Sequence, residues 1–118
     1  MTTQRALLRY VVLRHTGYGR AHFDLMFERE GKLMTWRSPR WPLETDTPLD
    51  KLADHRIAYL DYEGPISGGR GRVRRIVSGT FVPGRHANGI SFVLDGMREL
   101  VFKHVEGNHW LAEVLQVA

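Results

Sequence analysis

Cysteine is absent from the 118 residues. That removes disulfides, zinc–thiolate centres and thiol nucleophiles in one step, and it fits a cytoplasmic chain. Long apolar runs are missing as well. Arg5, Arg9 and Arg14 interrupt the first apolar stretch, so neither a signal peptide nor a membrane span is expected. Internal repeats and low-complexity segments are lacking, and no segment keeps a clean helical period. Hydrophobic residues make up 42% and charged residues 25%, the balance of a globular chain with one core. A single domain over residues 1–118 is expected.

The chain does have closely spaced turn signals. Arg9–Arg14 (RYVVLR) reads as a strand, Gly17-Tyr18-Gly19 as a loop, and Ala21–Glu28 as a second strand. Glu30-Gly31 makes a tight turn into a third strand, Lys32–Arg37. Three prolines exclude regular structure throughout 38–48. Over 49–62 a short strand or turn near Lys51–Ala53 precedes an irregular or briefly helical piece, and Gly64–Gly71 is a glycine-rich loop. Further strands are read at Arg72–Val77, Thr80–Val82, Gly89–Leu94, Leu100–His104 and Trp110–Leu115. Asp95-Gly96 and Gly107-Asn108 form hairpin turns. The expected fold is mostly β, a small barrel of about eight strands with short helical or irregular connections. Closure would remove exposed edges.

The strand "AHFDLMF" carries a histidine and an aspartate two apart. Alternation puts His22, Asp24, Met26 and Glu28 on one face, with Phe23, Leu25 and Phe27 on the other. The polar pair reads either as an exposed strand face or as two metal ligands on one rigid element. Seventeen Lys and Arg against 13 Asp and Glu give a net charge of +4, compatible with a polyanionic partner. Arg70, Arg72 and Arg74 recur with period two, reading as a track for a DNA backbone or as a solvated face. Trp41 beside Arg40 reads as a base-stacking residue. Trp36, Phe92, Phe102 and Trp110 read as core, and His86, His104 and His109 as surface or sheet residues.

Two longer segments, "RHTGYGRAHFDLMFEREGKLMTWRSPRWP" and "ADHRIAYLDYEGPISGG", resemble in order and spacing the 3′-phosphoesterase domain of bacterial ATP-dependent DNA ligase D. The resemblance runs from about Tyr10 to Leu115. It implies a β-barrel that heals nucleic-acid 3′ ends, removing a terminal ribonucleotide and then the 3′-phosphate. Manganese is the favoured metal, with zinc or another divalent ion as alternatives. His15, His22 and Asp24 would be metal ligands by that resemblance, and His55, Tyr59 and Arg40 would contact the scissile phosphate. Two imidazoles and a carboxylate suit such an ion. The implied partners are DNA or RNA 3′ ends, together with separate ligase or end-joining proteins.

The chain departs from that pattern at several positions. Met26 stands where the family has a phosphate-contacting arginine, and Arg40 where it has a lysine. Ala53 replaces an acidic residue, an upstream arginine is missing near Thr47, and the linker from His15 to His22 is one residue longer. Arg20 or Arg37 is expected to compensate. Two other readings follow from the same residues. One is a nucleic-acid-binding module with weakened chemistry. The other is a non-haem iron oxygenase, with His104 or His109 completing a facial triad and Arg98 anchoring a carboxylate.

Overall fold

A computed structural model describes residues 7–116. Nine strands are present among them: β1 (Leu8–Thr16), β2 (His22–Arg29), β3 (Lys32–Ser38), β4 (Pro48–Arg56), β5 (Gly64–Pro65), β6 (Arg72–His86), β7 (Gly89–Leu94), β8 (Arg98–Glu106) and β9 (His109–Gln116). One short 3-10 helix, Ile57–Leu60, follows β4. The strands pair in the order β1-β2-β3-β4-β9-β8-β7-β6, and β6 returns to β1. The result is a closed eight-stranded antiparallel barrel. The two-residue β5 adds to the free edge of β6 at Arg72 and Val73.

Turn chemistry sets the hairpins. Glu30 and Gly31 both have positive φ, as do Asp95 and Gly96, which is what primed two-residue turns require. The longest strand differs from the sequence expectation. Arg72–Val77 and Thr80–Val82 are parts of one 15-residue strand, β6, whose first half pairs with β1 and second half with β7. Gly79 does not end it, and the Asp95 carboxylate fills the space beside that glycine, accepting a hydrogen bond from the Thr80 N–H at 2.9 Å. The ambiguous stretch after Leu49 is likewise a strand through Arg56 and then the 3-10 helix.

Two apolar clusters lie on opposite sides of the β1–β2–β3 wall. The interior one draws residues from all eight barrel strands and centres on Phe27, whose ring stacks on Phe92 at 3.8 Å and meets Trp36, Phe81 and Phe102 edge-on. The second cluster is outside the barrel. Val11, Leu13, Met26, Leu33 and Val73 are covered there by Leu60 of the 3-10 helix. An ion pair from Arg9 to Asp61, at 2.8 Å, fastens the end of that helix to β1.

Burial corrects the simplest reading of β2. Its polar-looking face is not an exposed strand face: His22, Asp24 and Met26 are 6%, 4% and 1% exposed. Trp41, read as a free stacking residue, is half-buried against the interior cluster. Two bulges then set which side chains share the outer face. In β4 an extra residue between the partners of Leu33 and Thr35 puts His55 opposite Leu33 and Leu52 opposite Thr35. Without it, strict alternation would send His55 to the inner side. In β6 the register shift beside Leu13 does the same for Val73, placing it opposite His15.

Candidate metal centre

His15 and His22 face each other across the β1–β2 ladder, with ring centroids 4.7 Å apart. Asp24 lies one turn of the pleat along β2, on the same face as His22. One ligand atom from each of the three lies within 4.8 Å of the others. The extra residue in the 16–21 loop does not pull His15 away, because β1 itself delivers it.

Both histidines are pinned from behind by backbone carbonyls. His15 Nε2 lies 2.6 Å from the Arg70 carbonyl, and His22 Nδ1 lies 2.9 Å from the Arg20 carbonyl. A carbonyl only accepts, so each of those nitrogens carries the proton. In the neutral imidazole the opposite nitrogen then keeps its lone pair. His15 Nδ1 sits 3.2 Å from Asp24 Oδ2, and His22 Nε2 sits 3.3 Å from Asp24 Oδ1. The second approach is too poorly aligned to be a hydrogen bond, and both His22 Nε2 and Asp24 Oδ1 are buried without a partner. Three lone-pair donors thus converge with no proton between them in the neutral form. The Asp24 carboxylate raises the pKa of His22 above its ordinary value, opposed by desolvation. These residues fit a divalent cation: two nitrogens, a carboxylate, and carbonyls orienting the rings as metal-binding histidines require.

A cavity of about 250 Å³ opens beside the triad, bounded by His15, Asp24, Arg37, His55, Tyr59 and Arg70. Met26, Leu52 and Val73 also line it and give it an apolar portion. A second cavity, of about 530 Å³, includes Arg20, His22 and Asp50 in its lining and shares Tyr18 and Arg37 with the first. Arg37 is therefore common to both. It stands opposite Asp24 in the β2–β3 register, and its Nε is buried without a hydrogen-bond partner.

Five of the six residues expected at a site come together here. His55 and Tyr59 pack edge-to-face at 5.8 Å, and His55 Nδ1 bonds the Ala53 carbonyl at 2.9 Å. Arg40 does not line the cavity; its guanidinium pairs with Glu44 at 2.8 Å on the surface. Arg70 is expected to share a face with Arg72 and Arg74, but it precedes β6 and lines this cavity, with its guanidinium Nε donating to the Ser67 carbonyl at 2.8 Å. No side-chain pattern announces its carbonyl as the group that orients His15. For the oxygenase reading, His104 instead bonds the Gly107 carbonyl, and His109 lies beside Asp50, neither of them within the triad.

No family model matches the chain. It is 33% identical to the multifunctional non-homologous end joining protein LigD of Pseudomonas aeruginosa over 103 aligned residues, covering 76% of this chain. Its identity to the LigD proteins of Mycobacterium bovis and Mycobacterium tuberculosis is 29% over 112 residues, covering 82%. The alignments take in 12% to 15% of those relatives' own length. Between one face of β1–β2 holding three convergent donors and similarity that runs through most of the barrel, sequence and geometry meet in one conclusion: the chain is a LigD-related domain.

Proposed function

We propose that this domain is a metal-dependent phosphoesterase that heals nucleic-acid 3′ ends, removing a terminal ribonucleotide and a 3′-phosphate in DNA end repair. The observation that carries the reading is the pair of buried, unpartnered atoms His22 Nε2 and Asp24 Oδ1, set beside a cavity lined by His55, Tyr59, Arg37 and Arg70. His15, His22 and Asp24 are the ligands, with manganese as the expected ion and zinc or another divalent ion as alternatives. An ion held by these three residues would supply Lewis-acid polarisation of a phosphoryl oxygen.

The chain's own groups supply the rest. Arg37 and Arg70 hold the equatorial oxygens, whose negative charge is spread in the transition state. Tyr59 donates its phenolic proton in a hydrogen bond to the same phosphate. His55 is steadied through Nδ1 by the Ala53 carbonyl, and its protonated Nε2 serves as general acid. Water oxygen bonds to phosphorus, the P–O bond to the leaving ester oxygen breaks, the His55 proton goes to that oxygen, and a proton released by the attacking water restores His55 Nε2. Arg40, paired with Glu44, is assigned no part in this step. The nucleic-acid 3′ end is the partner in the cavity, and ligase or end-joining proteins are partners to be supplied separately.

A second reading is favoured by Met26. It is 1% exposed and packed with Leu13, Leu60 and Val73, so it offers no donor where the family's arginine stands. On that reading the domain binds nucleic acid with its chemistry weakened. The deciding experiment strips the protein of metal, refills it with manganese and incubates it with a labelled primer-template ending in a 3′-ribonucleotide or 3′-phosphate. Shortening or dephosphorylation that disappears in Asp24→Ala supports the esterase. Salt-sensitive binding with no turnover supports the binding module.

A further inference from the structure

The metal centre uses one face of the β1–β6 ribbon. The other face carries a different chemistry. Arg14 and Thr16 on β1 alternate with His15, and Arg72 and Arg74 on β6 alternate with Val73. Arg14 stands directly opposite Arg74, and Thr16 directly opposite Arg72. The bulge at Ile76 makes this so. Val77 pairs with Val12, but Arg75 pairs with Leu13, so the residue between them is skipped and the parity of β6 reverses. Without that extra residue, Arg72 and Arg74 would share the face of His15.

The three arginines line a cleft of about 490 Å³ with Thr16, Glu63 and Gly64. All three are exposed. Among the described residues, none of them lies within ion-pairing distance of a carboxylate. Glu63 is the acidic residue of the cleft, and its carboxylate accepts the Arg75 backbone N–H at 2.9 Å. Like charges directly opposite on neighbouring strands repel. Here the repelling pair is kept and a third cation is added two residues along β6. A multivalent anion seated between them removes the repulsion and finds forked donors on both sides.

We infer that the Arg14–Arg72–Arg74 cleft is a second nucleic-acid contact, a phosphate-backbone site on the opposite face of the ribbon from the metal centre. It requires no strand end. A successive-phosphate ligand fits better than a single anion, because the arginines come from two strands and two register positions. The inference rests on nucleic acid being the partner, and it is independent of whether the triad catalyses hydrolysis.

The test uses the full chain with Asp24→Asn, so that binding is read without turnover, and a closed circular duplex, which has no 3′ end. Its affinity is measured by competition against a labelled linear duplex over a salt series, with and without Arg72→Gln and Arg74→Gln together. The expected result is weaker binding and a slope of log affinity against log salt shallower by about 2, as two phosphate contacts are lost. An unchanged slope and affinity would overturn the inference. As a control on folding, manganese binding by the double variant on the Asp24-containing chain is expected to be unchanged. Loss of turnover in the proposed esterase with an intact salt slope would remove the esterase and leave this cleft standing.

Discussion

At the scale of single residues, what matters is which atom is left without a partner. Asp24 has histidine nitrogens near both of its oxygens, yet Oδ1 is unbonded, as is His22 Nε2. Leaving such atoms buried and unpaired is costly, so their persistence at one point is the strongest local evidence for a ligand. Asp24→Asn is expected to weaken manganese binding by about 100-fold or more, read by calorimetry, because even losing a partner behind a ligand costs about 10–100-fold. Two donors are also buried without a partner, Trp36 Nε1 and Arg37 Nε, and of these residues Arg37 lines the cavity. If it takes over the task of the missing arginine at position 26, Arg37→Ala lowers kcat for 3′-phosphate removal by about 10²–10³-fold. Manganese affinity should barely change. Arg37→Lys is expected to recover part of the rate, since the charge stays and the planar fork is lost. The His22-x-Asp24 pair was legible from strand alternation alone. The burial of that pair was not, because the groups around it, His15 and Arg37 on the neighbouring strands and the residues from Leu52 to Val73 that line the adjoining cavity, are brought there by long-range pairing.

At the scale of elements, the site depends on backbone groups that no side-chain motif records. The Gly64–Gly71 segment presses against the end of β1. A Cβ on Gly71 would collide with the Thr16 carbonyl oxygen, and the residue's φ is +80°. This close approach holds the Arg70 carbonyl on His15 Nε2. Gly71→Ala is therefore expected to lower stability by about 1–3 kcal/mol in urea denaturation and to weaken manganese binding with it. Gly69→Ala, which meets nothing within 4 Å at its own positive φ, should strain the turn without the collision and keep more of the metal affinity. The bulges belong to this scale too. An inserted residue in β4 brings His55 to the cavity and one in β6 sends Arg72 and Arg74 away from it. Period-two reading from Arg70 to Arg74 placed all three on one face. It misassigned Arg70, which lies in the turn before the strand begins.

At the scale of the whole molecule, closure of the sheet is the central fact. The barrel brings β6 back to β1, so a strand 60 residues away in sequence lines the same cavity as His15. Phe27 sits at the middle of the interior and touches aromatic rings from β1, β3, β6, β7 and β8. Phe27→Ala is expected to cost about 3–5 kcal/mol, measured by denaturant unfolding. Because Phe27 and Asp24 are on the same strand but opposite faces, the variant should lose metal binding only as it unfolds. Titrating metal binding and far-UV signal together across a denaturant series checks that coupling. No helix among the described residues is long and apolar enough to cross a membrane.

By itself the sequence determined the β class, most strand positions, the primed turns at Glu30-Gly31 and Asp95-Gly96, and the sharing of one face by His22 and Asp24. All of these follow from local rules: side-chain alternation, turn conformations open to glycine, and the lack of any helical period. The tertiary structure alone decided that the face is buried, that of the two arginines expected to compensate, Arg37 lines the cavity beside the triad, that Arg70 joins it and Arg40 does not, and that Arg14 meets Arg72 and Arg74 elsewhere. Those outcomes depend on long-range register. One extra residue in a strand reverses the facing of everything beyond it, and nothing in the local sequence of β4 or β6 marks where that residue goes.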